Sequence, residues 1–130
     1  MERMSKPRPD AFAALLGIEV VGHGDGKAEA RAVVTEDHLN PHGTTHGCFL
    51  YSLAGVALAA AANDAQHSGI VSAVHIDYLR PSGAGDALVA TAVLAERLPR
   101  EDLFDVRLVR SVDDEIVARA SGRATRRTRV

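Results

Sequence analysis

The sequence predicts an α+β domain in which one antiparallel sheet curves around a single long helix. Two observations support this prediction. The run from Gly47 to Ala62 is apolar on nearly every side, and short segments with alternating polar and apolar residues lie before and after it. A helix without a polar face must be covered all round, and a period of two is typical of half-buried strands. The predicted order is two strands, the helix, then three or four antiparallel strands.

Composition narrows the possible function. A chain of 130 residues fits one domain, which we predict at residues 11–130 after a flexible N-terminus at residues 1–10. A net charge of -2 and 4% aromatic residues give no basis for nucleic-acid binding. The apolar run is shorter than the roughly 20 residues that span a membrane. The single cysteine and the charged start MERMSKPRPD predict a cytoplasmic protein without disulfides.

The chain before the long helix contains a hairpin. Asp10 is placed to cap a short helix over Ala11–Leu16, because its carboxylate can accept a bond from a first-turn amide. A strand is predicted from Ile18 to Gly22, and the segment GHGDG marks a turn. The next strand, Lys27–Val34, alternates small apolar residues with charged ones, which indicates one buried face.

The polar loop His38–Thr45 leads into the long helix. Thr44 or Thr45 is the expected N-cap, since a hydroxyl can accept a hydrogen bond from an unpaired amide of the first turn. The alanines of the helix let a sheet approach closely on one side. The opposite side still needs cover, which predicts pairing of two subunits.

Strand patterns with turns between them follow the helix. Ala87–Glu96 is apolar on both faces at its centre, which is typical of a central strand. The segment Arg80-Pro81-Ser82-Gly83 ends the first of these strands, and Asp113 and Asp114 mark the last hairpin. The predicted strands are Ile70–Leu79, Ala87–Glu96, Phe104–Val109 and Ile116–Ala124.

With these residues in place, the chain resembles the hotdog-fold acyl-CoA thioesterases, in particular the PaaI-like group of phenylacetate degradation. In that group an Asn is followed after seven residues by an oxyanion-hole Gly that a His precedes. Asn40, His46 and Gly47 match this spacing. The resemblance runs from about Ala11 to Arg126 and implies hydrolysis of an acyl-CoA without a cofactor or metal.

The chain departs from the family motif at two positions. The group carries a catalytic Asp eight residues after the oxyanion Gly, where this chain has Gly55. The second Gly of the His-Gly-Gly motif is Cys48. Both changes lie where the chemistry is performed, so the resemblance predicts the fold and ligand class more directly than it predicts hydrolysis.

Thioester hydrolysis needs an oxyanion site, a positioned carbonyl and an activated water. The Gly47 amide at the helix N-terminus can bind the oxyanion, and Asn40 can hold the carbonyl or the water. His46 can shape the loop, bond near the thioester or act as the base in place of an acid at Gly55. The resemblance implies that Ser72 positions the water. It also implies that the strand exit Arg80, Pro81 and Ser82 carries the CoA nucleotide.

Other interpretations of these residues stay open. Gly55 is also consistent with close packing under the sheet, and Cys48 with a small packed side chain. His75 and a residue of a partner subunit are further candidates for the base, whereas Asp64 lies about 13 Å further along the helix axis. His38, His42 and His46 recur every four residues, but the intervening Pro41 and Gly43 argue against a helical metal site.

Three functions compete on this sequence. The first is an acyl-CoA thioesterase that forms a homodimer and, from two dimers, a homotetramer. The second is a non-catalytic acyl-CoA binding or sensing protein that lost its carboxylate at Gly55. The third is a hydroxyacyl thioester dehydratase, for which Asp37 with His42 or His46 is a poor match to the required Asp/His pair.

Overall fold

The computed structural model describes residues 9–127, and residues 1–8 and 128–130, with most of the predicted flexible N-terminus, lie outside that range. The predicted α+β hotdog fold is confirmed: six antiparallel strands form one sheet around one long helix, in the order β1-β2-β4-β5-β6-β3. Four strands, rather than three, follow the long helix. The elements are α1 (Ala11–Leu16), β1 (Glu19–Gly24), β2 (Lys27–Val33), a 3-10 turn (Glu36–His38), α2 (Gly47–Ala61), β3 (Gly69–Tyr78), β4 (Ala87–Arg97), β5 (Glu101–Arg110) and β6 (Glu115–Arg126).

The hairpin of β1 and β2 follows from its turn residues. Asp25 and Gly26 have φ angles of 55° and 74°, the left-handed values that a two-residue hairpin turn requires at both positions. β1 therefore continues to Gly24, two residues beyond the predicted end. In β2 the predicted alternation is confirmed, since its three alanines are buried and its charged residues are exposed.

The N-cap of α2 is His46, so the prediction of Thr44 or Thr45 was wrong. His46 has extended backbone angles, and its Nδ1 accepts a hydrogen bond from the Cys48 amide at 2.9 Å. Thr45 is instead buried, and its hydroxyl accepts a 2.7 Å bond from Ser82. An imidazole nitrogen thus takes the acceptor role that hydroxyls most often fill at helix starts.

The helix α2 packs its aliphatic side against the sheet and leaves one stripe uncovered. Leu53, Leu58 and Ala57 have no exposed surface, and α2 lies mainly against β2 and β4, whose buried residues are largely alanine. β4 is the third strand of six, which confirms its predicted central position. On the other side of α2, residues at helical spacing remain partly or fully exposed. This uncovered stripe consists of Cys48, Tyr51, Ser52, Gly55 and Ala59.

Strand β3 forms one edge of the sheet and pairs only with β6 within the described residues. Its apolar side chains are unusually open: Ile70, Tyr78 and the following Leu79 are each about half exposed (55%, 53% and 49%). An unpaired edge with exposed apolar residues is a template for a further strand. It lies beside the uncovered stripe of α2.

Strands β5 and β6 are longer than predicted because a buried ion pair extends them. Asp102 is 1% exposed and accepts hydrogen bonds from Arg97 and Arg126. Arg126 also donates to the Leu98 carbonyl. Arg126 therefore belongs to the sheet and not to a solvated tail. Within residues 9–127, no helix is long and apolar enough to cross a membrane.

Candidate active site

A surface pocket of about 370 Å³ opens at the N-terminus of α2. It lies between the loop before α2 and the exit of β3, and it brings together five residues that the sequence predicted for the site. The lining residues are Asn40, Thr44, Thr45, Gly47, Leu50, Tyr78, Leu79, Arg80, Pro81 and Ser82. His46, Gly55 and Ser72, which were also predicted, do not line this pocket.

Asn40 organises the loop in front of the helix. Its Oδ1 accepts hydrogen bonds from the amides of His42 (2.9 Å) and Thr44 (3.2 Å). Its Nδ2 donates to the Thr44 hydroxyl at 2.9 Å, and its backbone amide donates to the Thr44 carbonyl. The Asn40 carboxamide thus closes a compact turn and also lines the pocket.

The Gly47 amide is an unused donor at the start of α2. Among the hydrogen bonds of residues 9–127, none is donated by this N–H group. The amides of Cys48, Phe49 and Leu50 are bonded to the His46 side chain or carbonyl. First-turn amides point out of the helix and carry the positive end of its dipole. Gly47 therefore offers a preorganised site for a developing negative charge.

The hydrogen bond at His46 fixes its chemistry. Because the Cys48 N–H donates to Nδ1, that nitrogen carries no proton, and the neutral ring has its proton on Nε2. In this form His46 offers an N–H donor and has no free lone pair with which to deprotonate water. This geometry supports the loop-shaping and donor roles considered for His46 and disfavours the role of general base.

Tyr78 is a site residue that the sequence did not single out. Its hydroxyl donates to the Gly47 carbonyl at 2.9 Å, and its ring lies against the Gly47 α-carbon. A Cβ at position 47 would approach the Tyr78 Cζ to 3.0 Å, so any larger residue there would displace the ring by a few tenths of an ångström. Burial raises the pKa of Tyr78, and the nearby Cys48 and Tyr51 groups add to this shift. The available signal was its position in the alternation of β3, in line with Val74 and Ile76, which pack against the core.

Gly55 lies on the uncovered stripe with open space beside it. A Cβ added to Gly55 would meet no atom within 4 Å outside the adjoining backbone of its own helix. The close-packing interpretation of Gly55 is therefore wrong within a single chain, because no neighbour requires the missing side chain. The site has room for the carboxylate that the family carries at this position.

Ser72 and His75 lie on strand β3 away from the pocket. Ser72 sits at a bulge, donates to the Arg123 carbonyl and accepts a bond from the Thr125 hydroxyl. His75 is exposed on the outer side of the sheet, and its Nε2 is 3.2 Å from Asp77. Within one chain, neither residue reaches the N-terminus of α2.

The predicted CoA-binding residues at the exit of β3 line the pocket but already have partners. The Arg80 guanidinium contacts the Glu115 carboxylate at 3.0 Å and the Ile116 carbonyl at 2.9 Å. The hydroxyl of Ser82 is buried and donates to Thr45. Ser82 thus ties the β3 exit to the loop before α2, and Arg80 is the cation that faces the pocket.

The three histidines considered as metal ligands do not converge. His38 is 9% exposed and stacks on Phe49 at 3.8 Å between ring centres, and its Nδ1 accepts the Thr35 amide. His42 is exposed in the turn closed by Asn40. In the part of the chain that the structure describes, no three His, Cys, Asp or Glu side chains gather as metal ligands.

Comparison with known proteins places this chain in a family. Residues 42–97 match the thioesterase superfamily. The chain is 39% identical over 100 residues to the acyl-coenzyme A thioesterase PaaI of Escherichia coli K12, in an alignment that covers 77% of this chain and 71% of that protein.

Solved structures agree with this relationship. The E. coli PaaI protein from the phenylacetic acid degradation operon superposes with a TM-score of 0.86 at 36% identity, covering 92% of this chain and 86% of that one. The TT0310 protein from Thermus thermophilus gives a TM-score of 0.86 at 36% identity, covering 92% and 100%. The chain therefore belongs to the thioesterase superfamily, as a hotdog-fold member similar to PaaI.

Proposed function

We propose that this protein hydrolyses an acyl-CoA thioester to the free acid and CoA. The observation that carries the proposal is the unused Gly47 amide at the start of a 15-residue helix, opening on a pocket that also contains Asn40 and Arg80. The likeness to an acyl-coenzyme A thioesterase supports the same substrate class. The arrangement supplies an oxyanion donor, a carbonyl-positioning amide and a cation for phosphate.

The reaction uses these groups in sequence. Water adds to the thioester carbon, and the carbonyl oxygen becomes an oxyanion that the Gly47 N–H and the helix dipole stabilise. The tetrahedral intermediate then collapses, the carbon–sulfur bond breaks, and CoA leaves as the thiol after taking up the proton that the water released. One such donor is typically worth about 10²–10³ in rate.

The proton acceptor is the component that a single chain does not supply in this pocket. Within residues 9–127, the pocket lining includes no carboxylate and no imidazole, and His46 is held as a donor. We propose that a second subunit completes the site. The edge strand β3 and the uncovered stripe of α2 adjoin each other on one side of the molecule and form the surface for that pairing.

The expected oligomer is a homodimer that associates further into a homotetramer. Pairing across β3 would cover Ile70 and Tyr78, which are 55% and 53% exposed in one chain. Burial of apolar surface stabilises association by roughly 25 cal/mol per Å² before the costs of association. Sedimentation equilibrium at micromolar concentration should give a mass of two or four chains of 13.8 kDa. A stable monomer would rule out the shared site.

A second function has a specific observation in its favour. Gly55 stands in open space on the uncovered stripe, so the chain keeps the pocket without the carboxylate that activates water in the family. A non-catalytic acyl-CoA binding or sensing protein would have this structure. Dehydration of a hydroxyacyl thioester has less support, because Asp37 is exposed in the 3-10 turn and does not line the pocket.

Release of the CoA thiol separates the two leading functions. We expect hydrolysis of at least one member of a panel of aromatic and aliphatic acyl-CoAs. The released CoA thiol is measured by its reaction with a chromogenic disulfide. Binding of the same panel is measured by calorimetry. Binding without thiol release would establish the sensing function, and absence of both would contradict the acyl-CoA assignment. We propose a cytoplasmic location, where CoA thioesters occur with reduced thiols.

Asn40 provides a sharper test of the pocket. Asn40→Ala should lower kcat/KM by about 10²-fold, because a misplaced loop disturbs reacting groups by an ångström or so. Asn40→Asp is the matched variant: it keeps two acceptors for the His42 and Thr44 amides but removes the side-chain N–H. We expect Asn40→Asp to keep its thermal stability and lose turnover. If Asn40→Ala left turnover and acyl-CoA affinity unchanged, Asn40 would have no role in the site.

A further inference from the structure

We propose that Tyr78 is a positioning residue that fixes the tautomer of His46 and the first turn of α2 through the Gly47–Cys48 peptide. Tyr78 Oη and His46 Nδ1 bond to opposite ends of that one peptide group. This inference goes beyond hydrolysis itself, and its catalytic part rests on the proposed function. It assigns a role to a residue on β3, which pairs with β6 and not with any residue near the helix start.

Tyr78 is itself held firmly. It is the last residue of β3 and pairs with Ala118 of β6. The two amides that follow, of Leu79 and Arg80, both donate to the Val117 carbonyl at 2.9 and 3.1 Å. From this anchored backbone the side chain turns towards α2, where its ring and hydroxyl lie 3.0–3.4 Å from a Cβ position on Gly47. The sheet therefore fixes the position of the Tyr78 phenol independently of the helix start.

The hydrogen bonds then run through one peptide group. The Tyr78 hydroxyl donates to the Gly47 carbonyl at 2.9 Å, and the N–H of the same peptide, on Cys48, donates to His46 Nδ1 at 2.9 Å. A donor on the carbonyl polarises the peptide and strengthens the bond that its N–H makes, because hydrogen bonds in a chain reinforce one another. Tyr78 thus acts on the imidazole without touching it.

The result is a defined pair of donors at the start of α2. His46 keeps Nδ1 as an acceptor and presents Nε2–H, while Gly47 presents its backbone N–H at the same turn. The Tyr78 phenol is a donor at physiological pH because the ordinary pKa of tyrosine is about 10, and partial desolvation, with Cys48 and Tyr51, raises that pKa further. Without the Tyr78 hydroxyl, the Cys48 N–H is a weaker donor and His46 can exchange between its two neutral tautomers.

The test compares Tyr78→Phe with Tyr51→Phe in the full chain. Tyr51 is exposed on α2, and its hydroxyl has no hydrogen bond among residues 9–127, so it is the matched control. The ¹⁵N shifts of His46, assigned by their loss in His46→Ala, report the tautomer directly. Tyr78→Phe should move both ring nitrogens towards the average of two tautomers and lower kcat roughly 2- to 10-fold, the worth of one neutral hydrogen bond, with KM within twofold. Tyr51→Phe should leave the His46 nitrogen shifts unchanged.

A second variant approaches the same contact from the helix. Gly47→Ala adds a Cβ that lies 3.0 Å from the Tyr78 ring, so the ring must move while its hydroxyl is retained. We expect a shift of the His46 nitrogens in the same direction as in Tyr78→Phe, and no additional shift when both changes are combined. This non-additivity is what a shared contact produces.

The outcomes separate this inference from the proposed function. Unchanged His46 nitrogen shifts in Tyr78→Phe would overturn the positioning role, whatever the turnover. Altered shifts in a chain that releases no CoA from any thioester would support the positioning role and refute hydrolysis. Equal shifts in Tyr51→Phe and Tyr78→Phe would show a general effect of losing a phenol, which also overturns the inference.

Discussion

Replacing Gly55 by aspartate should raise the rate of acyl-CoA hydrolysis by about 10²–10⁴-fold, the usual contribution of a positioned general base. The structure permits this change because a Cβ at position 55 meets no atom within 4 Å. The position is two helical turns after Gly47, on the uncovered stripe of α2. Eight residues of helix correspond to about 12 Å along the axis, so a carboxylate at position 55 would act across the proposed subunit pairing, and it would displace no core residue. The comparison is of kcat for thiol release with the best acyl-CoA of the panel.

Two control variants isolate the carboxylate. Gly55→Asn has nearly the same shape and cannot accept a proton from water, so it should stay at the starting rate. Gly55→Ala should stabilise the folded protein by about 1 kcal/mol, because glycine is costly within a helix, and should leave the rate unchanged. An equal gain from Asn and Asp, or no gain from Asp in a folded protein that binds acyl-CoA, would contradict the base-replacement argument.

The size of the gain also decides how the present chain works. A large gain from a low but measurable starting rate would mean a thioesterase that lacks only an efficient proton acceptor, whereas activity that appears only in Gly55→Asp would favour the binding or sensing function. A small gain from an already high rate would mean that another group removes the proton. His46 is held as a donor, so that group would come from the partner subunit.

Much of the fold was predictable because burial in this chain is one-sided and regular. β2 alternates small and charged residues, and the long helix is apolar throughout, so hydrophobic periodicity alone predicted a sheet wrapped on a helix. The Asp25–Gly26 turn has the chemistry that a tight hairpin needs. Where the local pattern and tertiary burial agree, the predicted ends of the helices and strands lie within one or two residues of the observed ends.

The misses arise where a charged or polar residue is buried by a distant partner. Asp102 is a fully buried carboxylate in β5, and its partner Arg126 lies 24 residues away, so hydrophobicity placed both ends of this pair outside the strands. Ser72 sits at a bulge of β3, which changes the face that its side chain takes. No sequence period reveals a bulge.

The candidate site likewise contains residues that the sequence predicted and a residue that it did not. The family resemblance assigned Asn40 and Gly47 to one site; Gly47 follows Asn40 by seven positions in a tight loop, and both residues line one pocket. Tyr78 lies 31 residues from Gly47, so its contact depends on the packing of β3 against α2. The N-cap of α2 also depends on tertiary packing. The Thr45 hydroxyl is hydrogen-bonded to Ser82, so His46 caps the helix instead.

Replacing Gly47 by proline should reduce kcat by about 10²–10³-fold through loss of its backbone N–H, which donates no hydrogen bond within residues 9–127. Proline is compatible with the first position of a helix, where the N–H makes no intrahelical bond. The preceding His46 has φ −63° and ψ 135°, the extended conformation that a residue before proline requires. The variant is therefore expected to fold with α2 intact, which far-ultraviolet circular dichroism can confirm.

Gly47→Ala separates the amide from the effect of added bulk. Both substitutions place a Cβ about 3.0 Å from the Tyr78 ring, and both displace that ring, but alanine retains the N–H. The ratio of kcat between Gly47→Ala and Gly47→Pro thus separates the loss of the N–H from the contact of the Cβ with Tyr78. Equal rates in the two folded variants would remove Gly47 from the oxyanion site and attribute its identity to the contact with Tyr78. A kcat ratio of about 10² would place the oxyanion at the first amide of α2.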